Sequence, residues 1–220
     1  MLEGYFPFWK QLSPAWQAAL EQAAERRTYE KGTALHRGGQ DCIGLLIVES
    51  GQLRVYALSD EGREITLYRL LERDICLFSA SCILRGMQCD VFVEAASDVR
   101  LIHIPAGIYQ KLMEESAPAA NFTGELMADR FSNVMWLLDQ VLFKRMDARL
   151  AAFLLEESDL GGRPVHLTHE AVARHLGTAR EVVSRMLKHL ENEGALQLSR
   201  GDIRIADREK LNRLAAGSIR

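Results

Sequence analysis

Four polar residues near the C-terminal end of the chain are spaced to lie on one face of a helix: Glu181, Ser184, Arg185 and Lys188. The opposite side carries apolar residues at the same i, i+3, i+4 spacing, which are Val183, Met186, Leu187 and Leu190. Arginine donates two hydrogen bonds to guanine, glutamate accepts one from cytosine, serine pairs with donors or acceptors, and lysine suits a phosphate. These residue types at this spacing predict a helix that reads bases in a DNA major groove.

The same residues also allow a simpler interpretation. The run Thr178-Ala179-Arg180-Glu181 fits a capping box, in which Glu181 only satisfies an amide of its own helix. Arg185 and Lys188 would then belong to an ordinary solvated face. The neighbouring elements decide between the two interpretations.

A shorter helix precedes this one and is separated from it by a glycine. Thr168 can cap the first helix, Gly177 permits the left-handed backbone of a sharp turn, and Thr178 can cap the second helix. The first helix has its apolar positions at Ala171, Val172 and Leu176. This order predicts a helix-turn-helix.

A β-hairpin is predicted directly after the second helix. The apolar runs 196–198 and 203–205 flank Arg200-Gly201-Asp202, and Arg200 and Arg204 could approach the DNA backbone as a wing. Helix, glycine turn, polar helix face and hairpin in this order favour DNA binding. The residues that we expect to contact DNA are Thr168, Thr178, Arg180, Glu181, Ser184, Arg185, Lys188 and Arg200.

The first half of the chain has a different pattern. After a helix predicted from Ser13 to Arg27, residues 28–105 form short apolar runs cut by glycine-containing turns. Alternation is clearest where Leu53 and Val55 alternate with Arg54 and Tyr56. Short strands at regular spacing without long helices between them predict an antiparallel barrel or sandwich.

A long helix is predicted from 118 to 143, after a short one near 106–115. Five apolar positions in it are spaced four, three, four and three apart: Met127, Phe131, Val134, Leu138 and Val141. Such a heptad seam favours a partner helix, and a symmetric homodimer is the simplest source of one. The alternative is a helix buried against its own barrel. The chain therefore divides into 1–117, 118–143 and 144–220.

Composition limits the function classes. The chain has 220 residues, of which 48% are hydrophobic, so it can bury a core. The longest apolar run, 42–48, is too short to cross a bilayer, and no basic-then-apolar leader is present, so we expect a cytoplasmic protein without membrane contact. Residues 1–143 contain 13 Lys/Arg against 19 Asp/Glu, whereas residues 144–220 contain 14 against 11. The basic C-terminal segment suits a polyanion partner.

At these residues the sequence resembles the CRP/FNR transcription regulators. The β-roll motifs of that family are similar to residues 29–32, 39–40, 51–56 and 61–67, and its recognition-helix motif is similar to 180–185. Arg180 resembles the CRP branch, whereas Ser184 resembles the FNR branch. The resemblance implies an α+β protein with an N-terminal, jelly-roll-like antiparallel β-roll, a long dimerisation helix and a C-terminal winged helix-turn-helix domain. It further implies a homodimer on a palindromic operator in double-stranded DNA, an unknown small effector, and RNA polymerase as a partner.

The resemblance also indicates where an effector would bind. The Gly-Glu and Arg-Ser pairs that hold cyclic AMP in one branch align with Leu77 and Phe78 and with Cys89 and Asp90. Replacing a phosphate-pairing arginine by cysteine and adding a carboxylate places repulsion where the phosphate charge must lie. An effector other than cyclic AMP is therefore predicted, with an effector pocket at these four positions.

The cysteines suggest an alternative. Cys76, Cys82 and Cys89 lie close together in sequence and could serve a thiol-, metal- or haem-based redox or gas sensor acting through the same β-roll. Their spacing matches no CxxC pair, and buried structural cysteines are common. A ligand-binding module without DNA affinity is the other competing class. No nucleophile elbow, metal-ligand spacing or phosphate loop is found, so we predict no enzyme, no catalytic residues and no metal site, and the cofactor stays unknown.

Overall fold

The computed structural model describes residues 2–38, 43–77, 91–160, 164–216 and 218. It divides into two compact units. The N-terminal unit comprises Met1–Leu58 and Leu67–Val134, and the C-terminal unit comprises Ser59–Thr66 and Met135–Arg220. The division falls within one long helix and assigns a short hairpin segment of the first half to the C-terminal unit.

Among its described residues, the N-terminal unit has two four-stranded sheets. Its helices are α1 (Pro14–Ala23), α2 (Ala106–Glu115) and the first part of α3 (Ala117–Phe143), which continues into the C-terminal unit, and a 3₁₀ turn lies at Trp9–Gln11. Its strands are β1 (Glu25–Tyr29), β2 (Ala34–Arg37), β3 (Leu45–Ser50), β4 (Leu53–Leu58), β5 (Glu64–Leu70), β6 (Ile75–Cys76), β7 (Val91–Ala95) and β8 (Val99–Ile104). The sheet orders are β1-β8-β3-β6 and β2-β7-β4-β5, with antiparallel pairing of β8 to β1 and β3 and of β7 to β2 and β4. The predicted antiparallel arrangement is confirmed.

Two local predictions in this unit are wrong. The first helix ends at Ala23 instead of Arg27, because Glu25–Tyr29 pairs with β8 as an edge strand. The alternation in β4 predicts that Arg54 faces outward when Leu53 and Val55 face the core, yet its side chain is only 3% exposed. It donates to Glu94 Oε1 over 2.9 Å and lies 4.4 Å from the centre of the Tyr56 ring, and these contacts offset the cost of burying its charge.

The C-terminal unit has the topology expected of a winged helix. It contains α4 (Met146–Leu160), α5 (His169–Leu176), α6 (Arg180–Asn192), β9 (Leu196–Ser199), β10 (Asp202–Ile205) and α7 (Arg208–Leu214). A bridge between Val165 and Ile203 extends the small sheet. The helix α4 begins at Met146, and Asp147 lies in its first turn. One apolar cluster holds α4, α5, α6 and the hairpin together.

The second half of α3 is amphipathic with its apolar side uncovered. Its exposed large apolar side chains are Phe131, Met135, Leu138, Val141, Leu142 and Phe143. Phe131 is 67% exposed and Leu138 47%, whereas Gln140, on the other side of the helix, is buried. Of the five predicted seam residues, Val134 is half-buried and Met127 packs against the N-terminal core of its own unit. Within the described residues, no helix combines the length and apolar character that crossing a bilayer requires.

Candidate nucleic-acid interface

The turn between α5 and α6 is fixed by local backbone chemistry. Thr168 Oγ1 accepts a hydrogen bond of 3.1 Å from the amide of Ala171, which confirms the predicted cap of α5. Gly177 has φ +67° and ψ +37°, the left-handed conformation that ends the helix without a steric penalty. Thr178 does not cap α6: Ala179 holds the cap position, and no side chain there accepts a hydrogen bond. The predicted capping of α6 by Thr178 is therefore wrong.

The two faces of α6 separate as predicted. Val183, Leu187 and Leu190 are buried in the core of the unit. The opposite face carries Glu181, Arg185 and Lys188, which are exposed, and Ser184, which is half-buried. Arg180, the first residue of α6, is also exposed. The helix is thus anchored by its apolar side and presents charged and polar groups outward.

Two residues of this face already have partners in the chain. Ser184 Oγ lies 2.9 Å from Nδ1 of His169, the first residue of α5. Lys188 Nζ donates to Glu191 Oε2 over 2.7 Å, one turn further along α6. The sequence pattern did not point to His169, because only the turn between the helices brings it close to Ser184. Glu191 is three residues from Lys188, so helical spacing alone could have indicated that pair.

Glu191 also connects α6 to the wing. Its Oε1 accepts a hydrogen bond of 3.0 Å from the amide of Leu198 in β9. The hydrogen bond from Lys188, and then that from Leu198, holds the pKa of the Glu191 carboxyl below its usual range. The carboxylate therefore stays ionised and joins the recognition face to the hairpin.

The wing itself is a tight hairpin. Ser199 pairs with Asp202, so Arg200 and Gly201 form the loop, and Gly201 adopts φ +86°. Arg200 and Arg204 are both exposed, as predicted. A cleft of about 460 Å³ lies between the hairpin and the start of α5.

That cleft brings together three of the predicted DNA contacts. Thr168, Arg180 and Arg200 line it, together with His169, Glu170 and Asp202. The other five predicted residues do not line it; four of them lie on α6 and Thr178 lies in the turn before α6. The arrangement can hold a polyanion between two arginines while the face of α6 enters a groove.

The helix-turn-helix has two further supports inside the C-terminal unit. Arg149 of α4 donates to the carbonyl of Leu176 over 2.7 Å, and burial lowers the pKa of its guanidinium. The segment Ser59–Thr66 contributes Thr66, whose Oγ1 lies 2.8 Å from His175 Nδ1. A Cβ on Gly177 would come within 2.9 Å of Ile65 Cδ1, so this segment also fits closely over the turn.

The predicted effector positions are described only in part. Leu77 is buried in the N-terminal core. Phe78, Cys89 and Asp90 lie outside the described residues, as do Cys42 and Cys82. Cys76 is buried, and no group of three His, Cys, Asp or Glu side chains suited to a metal occurs in the described part of the chain.

Comparison with known proteins extends over both halves of the chain. The model of the Crp-like helix-turn-helix domain matches residues 148–214, and that of the cyclic nucleotide-binding domain matches 26–116. A solved structure from Eubacterium rectale, described as a CRP/FNR-family transcriptional regulator, has 51% identity and a TM-score of 0.95 over 97% of this chain and 100% of its own.

Curated relatives are more distant but similarly complete. The cyclic AMP receptor protein of Thermus thermophilus is 28% identical over 88% of this chain and 89% of its own length. The fumarate and nitrate reduction regulatory protein of Yersinia pestis is 26% identical over 89% and 81%, respectively. These relatives are transcription regulators, not enzymes.

Proposed function

The chain belongs to the CRP/FNR family of transcription regulators, and from that premise we propose how it recognises DNA and what controls it. Two copies bind a two-fold symmetric operator, with α6 of each copy in successive major grooves about one helical turn apart. The face of Glu181, Ser184, Arg185 and Lys188, opposite a buried apolar side, is the observation that carries this proposal. Thr168, Arg180 and Arg200 hold the adjacent phosphates, since they line the cleft beside that face. Thr178, in the turn before α6, adds a backbone contact.

The exposed surface of α3 is the reason for proposing that two copies of the chain form a dimer. Its second half leaves six large apolar side chains in solvent, and single chains rarely expose so continuous an apolar stripe. A parallel α3 from a partner covers Phe131, Val134, Leu138 and Val141 by heptad packing. Met127 contributes at the edge of this seam, because it packs mainly on its own unit. Segment 118–143 therefore serves dimerisation, between a sensing segment 1–117 and a DNA-binding segment 144–220.

The effector is proposed to be a small molecule other than cyclic AMP. Leu77 is buried among apolar side chains and has no group to bind a ribose hydroxyl or phosphate. Phe78, Cys89 and Asp90 complete the proposed pocket, and their residue types argue against a phosphate ester. The regulator acts in the cytoplasm and contacts RNA polymerase, as expected of its family.

An in vitro selection tests the DNA-binding proposal. The full-length protein is incubated with a pool of random DNA duplexes, and the recovered sequences are determined with and without added cyclic AMP. We expect enrichment of an inverted repeat with half-sites about 10 base pairs apart and no effect of cyclic AMP. A double variant, Glu181→Ala with Arg185→Ala, serves as the control and should enrich nothing.

If the wild-type protein does not enrich an inverted repeat, the DNA-binding proposal is contradicted. Native mass spectrometry of the same preparation adds an independent readout, because a retained effector appears as added mass on a dimer. A spectrum of monomers only contradicts the dimer.

A further inference from the structure

The hydrogen bond between His169 and Ser184 joins the two helices of the helix-turn-helix. His169 is the first residue of α5 and directly follows its cap, Thr168. Its Nδ1 lies 2.9 Å from Ser184 Oγ on the outward face of α6, and both side chains are half-buried. His169 also lines the cleft at the wing, so it stands between the phosphate-binding and base-reading parts of the surface.

A serine hydroxyl by itself is an ambiguous reader of bases. It can donate one hydrogen bond and accept two, and its hydrogen rotates to suit the partner. Serine therefore pairs with either acceptor or donor groups on base edges. A residue that fixes the rotation of the hydroxyl removes this ambiguity, because only one polarity is then presented to the groove.

The geometry between His169 and Ser184 meets that requirement. If Nδ1 accepts the serine proton, Ser184 Oγ can only accept from a base amine. If Nδ1 carries a proton, it takes one of the two lone pairs of Oγ and turns the hydroxyl hydrogen away from the ring, which favours donation to a base acceptor. In each case the hydrogen bond with His169 uses one of the hydrogen-bonding capacities of the Ser184 hydroxyl. The helix that carries His169 is anchored at both ends, by the Thr168 cap and by the hydrogen bond from Arg149 to the Leu176 carbonyl.

We infer that His169 is a specificity-determining positioning residue, which fixes the hydroxyl of Ser184 so that it reads one kind of base edge. This inference rests on the proposed function, since it requires that the face of α6 enters the major groove. His169 adds discrimination at a single base pair of each half-site without contacting that base pair. The remaining positions, read by Glu181 and Arg185, do not depend on it.

The test measures base preference position by position. The operator selected by the wild-type protein is varied singly at every base pair, and relative affinities are measured for the full-length protein and for His169→Ala, His169→Phe and Ser184→Ala. His169→Phe keeps the bulk of a ring and removes both nitrogens, which separates packing from hydrogen bonding. His189→Ala removes an exposed imidazole from the last turn of α6 and is the matched control.

We expect Ser184→Ala and both His169 variants to lose discrimination at the same base pair, by about fivefold, which is the usual worth of one hydrogen bond. The double variant His169→Ala with Ser184→Ala should be no less selective there than Ser184→Ala alone. His189→Ala should behave like the wild type.

A loss spread evenly over all positions, or full selectivity in His169→Phe, overturns the inference, as does an additive loss in the double variant. These results leave the proposed function standing, because the wild-type protein still selects an operator. Failure of the wild type to select any inverted repeat overturns both.

Discussion

Arg185 combines exposure, a fixed helical position and a side chain that makes paired hydrogen bonds, so it is the residue from which we expect the largest effect on base readout. Arg185→Ala should weaken binding to the preferred operator by about 1–3 kcal/mol and relax the preference at one base pair. Fluorescence anisotropy titrations with singly substituted operators measure both effects.

Arg213→Ala provides the comparison for that measurement. Arg213 is exposed in the last turn of α7 and lines neither the cleft nor the face of α6. Arg213→Ala should lower the affinity for all operator sequences by the same small factor, because Arg213 adds only a positive charge that attracts DNA of any sequence. If Arg185→Ala and Arg213→Ala change the base preference equally, Arg185 does not read a base.

Tyr109 gives a residue-scale prediction for stability. Its hydroxyl lies 2.8 Å from Thr123 Oγ1, which itself donates to the carbonyl of Ala119, so the tyrosine is the donor. Burial raises the pKa of Tyr109 to about 12. The folded state thus holds this proton more tightly than the unfolded state, whose value is about 10. The resulting stabilisation is complete below pH 10 and is lost as pH rises towards 12, about 3 kcal/mol in all.

Tyr109→Phe should remove that part of the pH dependence and lower the free energy of unfolding at pH 7 by about 1 kcal/mol through the lost hydrogen bond. Urea titrations between pH 8 and pH 11.5 measure both quantities. Tyr5→Phe, at a partly exposed tyrosine, is measured alongside as the matched substitution. A Tyr109→Phe slope equal to that of the wild type would show that this proton is not linked to folding.

Single residues also show where sequence patterns suffice. The outward positions of α6 follow from helical periodicity, since a stripe of Val, Met and Leu must face the core. Periodicity within one helix does not show partners on other elements, so it did not indicate His169 on α5 or the hydrogen bond from Leu198 to Glu191. It also misplaced Arg54, because alternation assigns a face to a side chain without showing that a glutamate on the next strand neutralises it.

At the scale of elements, the position of the wing depends on one carboxylate of α6. Glu191 accepts from the amide of Leu198, so the hairpin is attached to the recognition helix as well as to its own core. Glu191→Ala should loosen β9 and speed hydrogen exchange of the Leu198 amide, while Glu191→Gln, whose amide oxygen can still accept, should keep most of the protection. Exchange followed by NMR measures the difference.

The same substitutions separate the wing from Lys188. Both remove the ion pair with Lys188, and only Glu191→Ala removes the acceptor for β9. If the two variants exchange at the same rate, the ion pair and not the hydrogen bond to Leu198 holds the hairpin.

Element boundaries were predictable where the chain carries explicit stop and start signals. Ser13 before Pro14, Thr168 before α5 and Gly177 after it mark helix ends that the structure confirms. The end of α1 and the cap of α6 were misplaced. In the first case Glu25–Arg27 can continue a helix locally, and only pairing with β8 makes it a strand. The order of the strands in each sheet could not be predicted from the sequence either, because it depends on contacts between strands that are distant in the chain.

At the scale of the whole molecule, the exposed stripe of α3 predicts how the protein assembles. Leu138→Asp places a charge in the centre of the proposed seam and should convert the dimer to a monomer, because an unpaired buried carboxylate costs several kcal/mol. Sedimentation velocity measures the state directly. DNA affinity should fall with it, since two half-sites would then bind separately.

Ser132→Asp is the matched control, because it adds the same charge at an exposed position of α3 that is rotated from Leu138 by about a third of a turn around the helix axis. It should remain dimeric. If Leu138→Asp sediments like the wild type, the two copies meet through another surface.

The segment Ser59–Thr66 makes the C-terminal unit discontinuous in sequence. A fragment cut at Met135 would therefore lack Ile65, which covers Gly177, and Thr66, which meets His175. Such a truncated protein would expose an apolar patch at the turn that orients α6. Anyone wishing to crystallise the DNA-reading half alone should graft these eight residues back or mutate the uncovered surface, since simple truncation removes a small but integral piece of it.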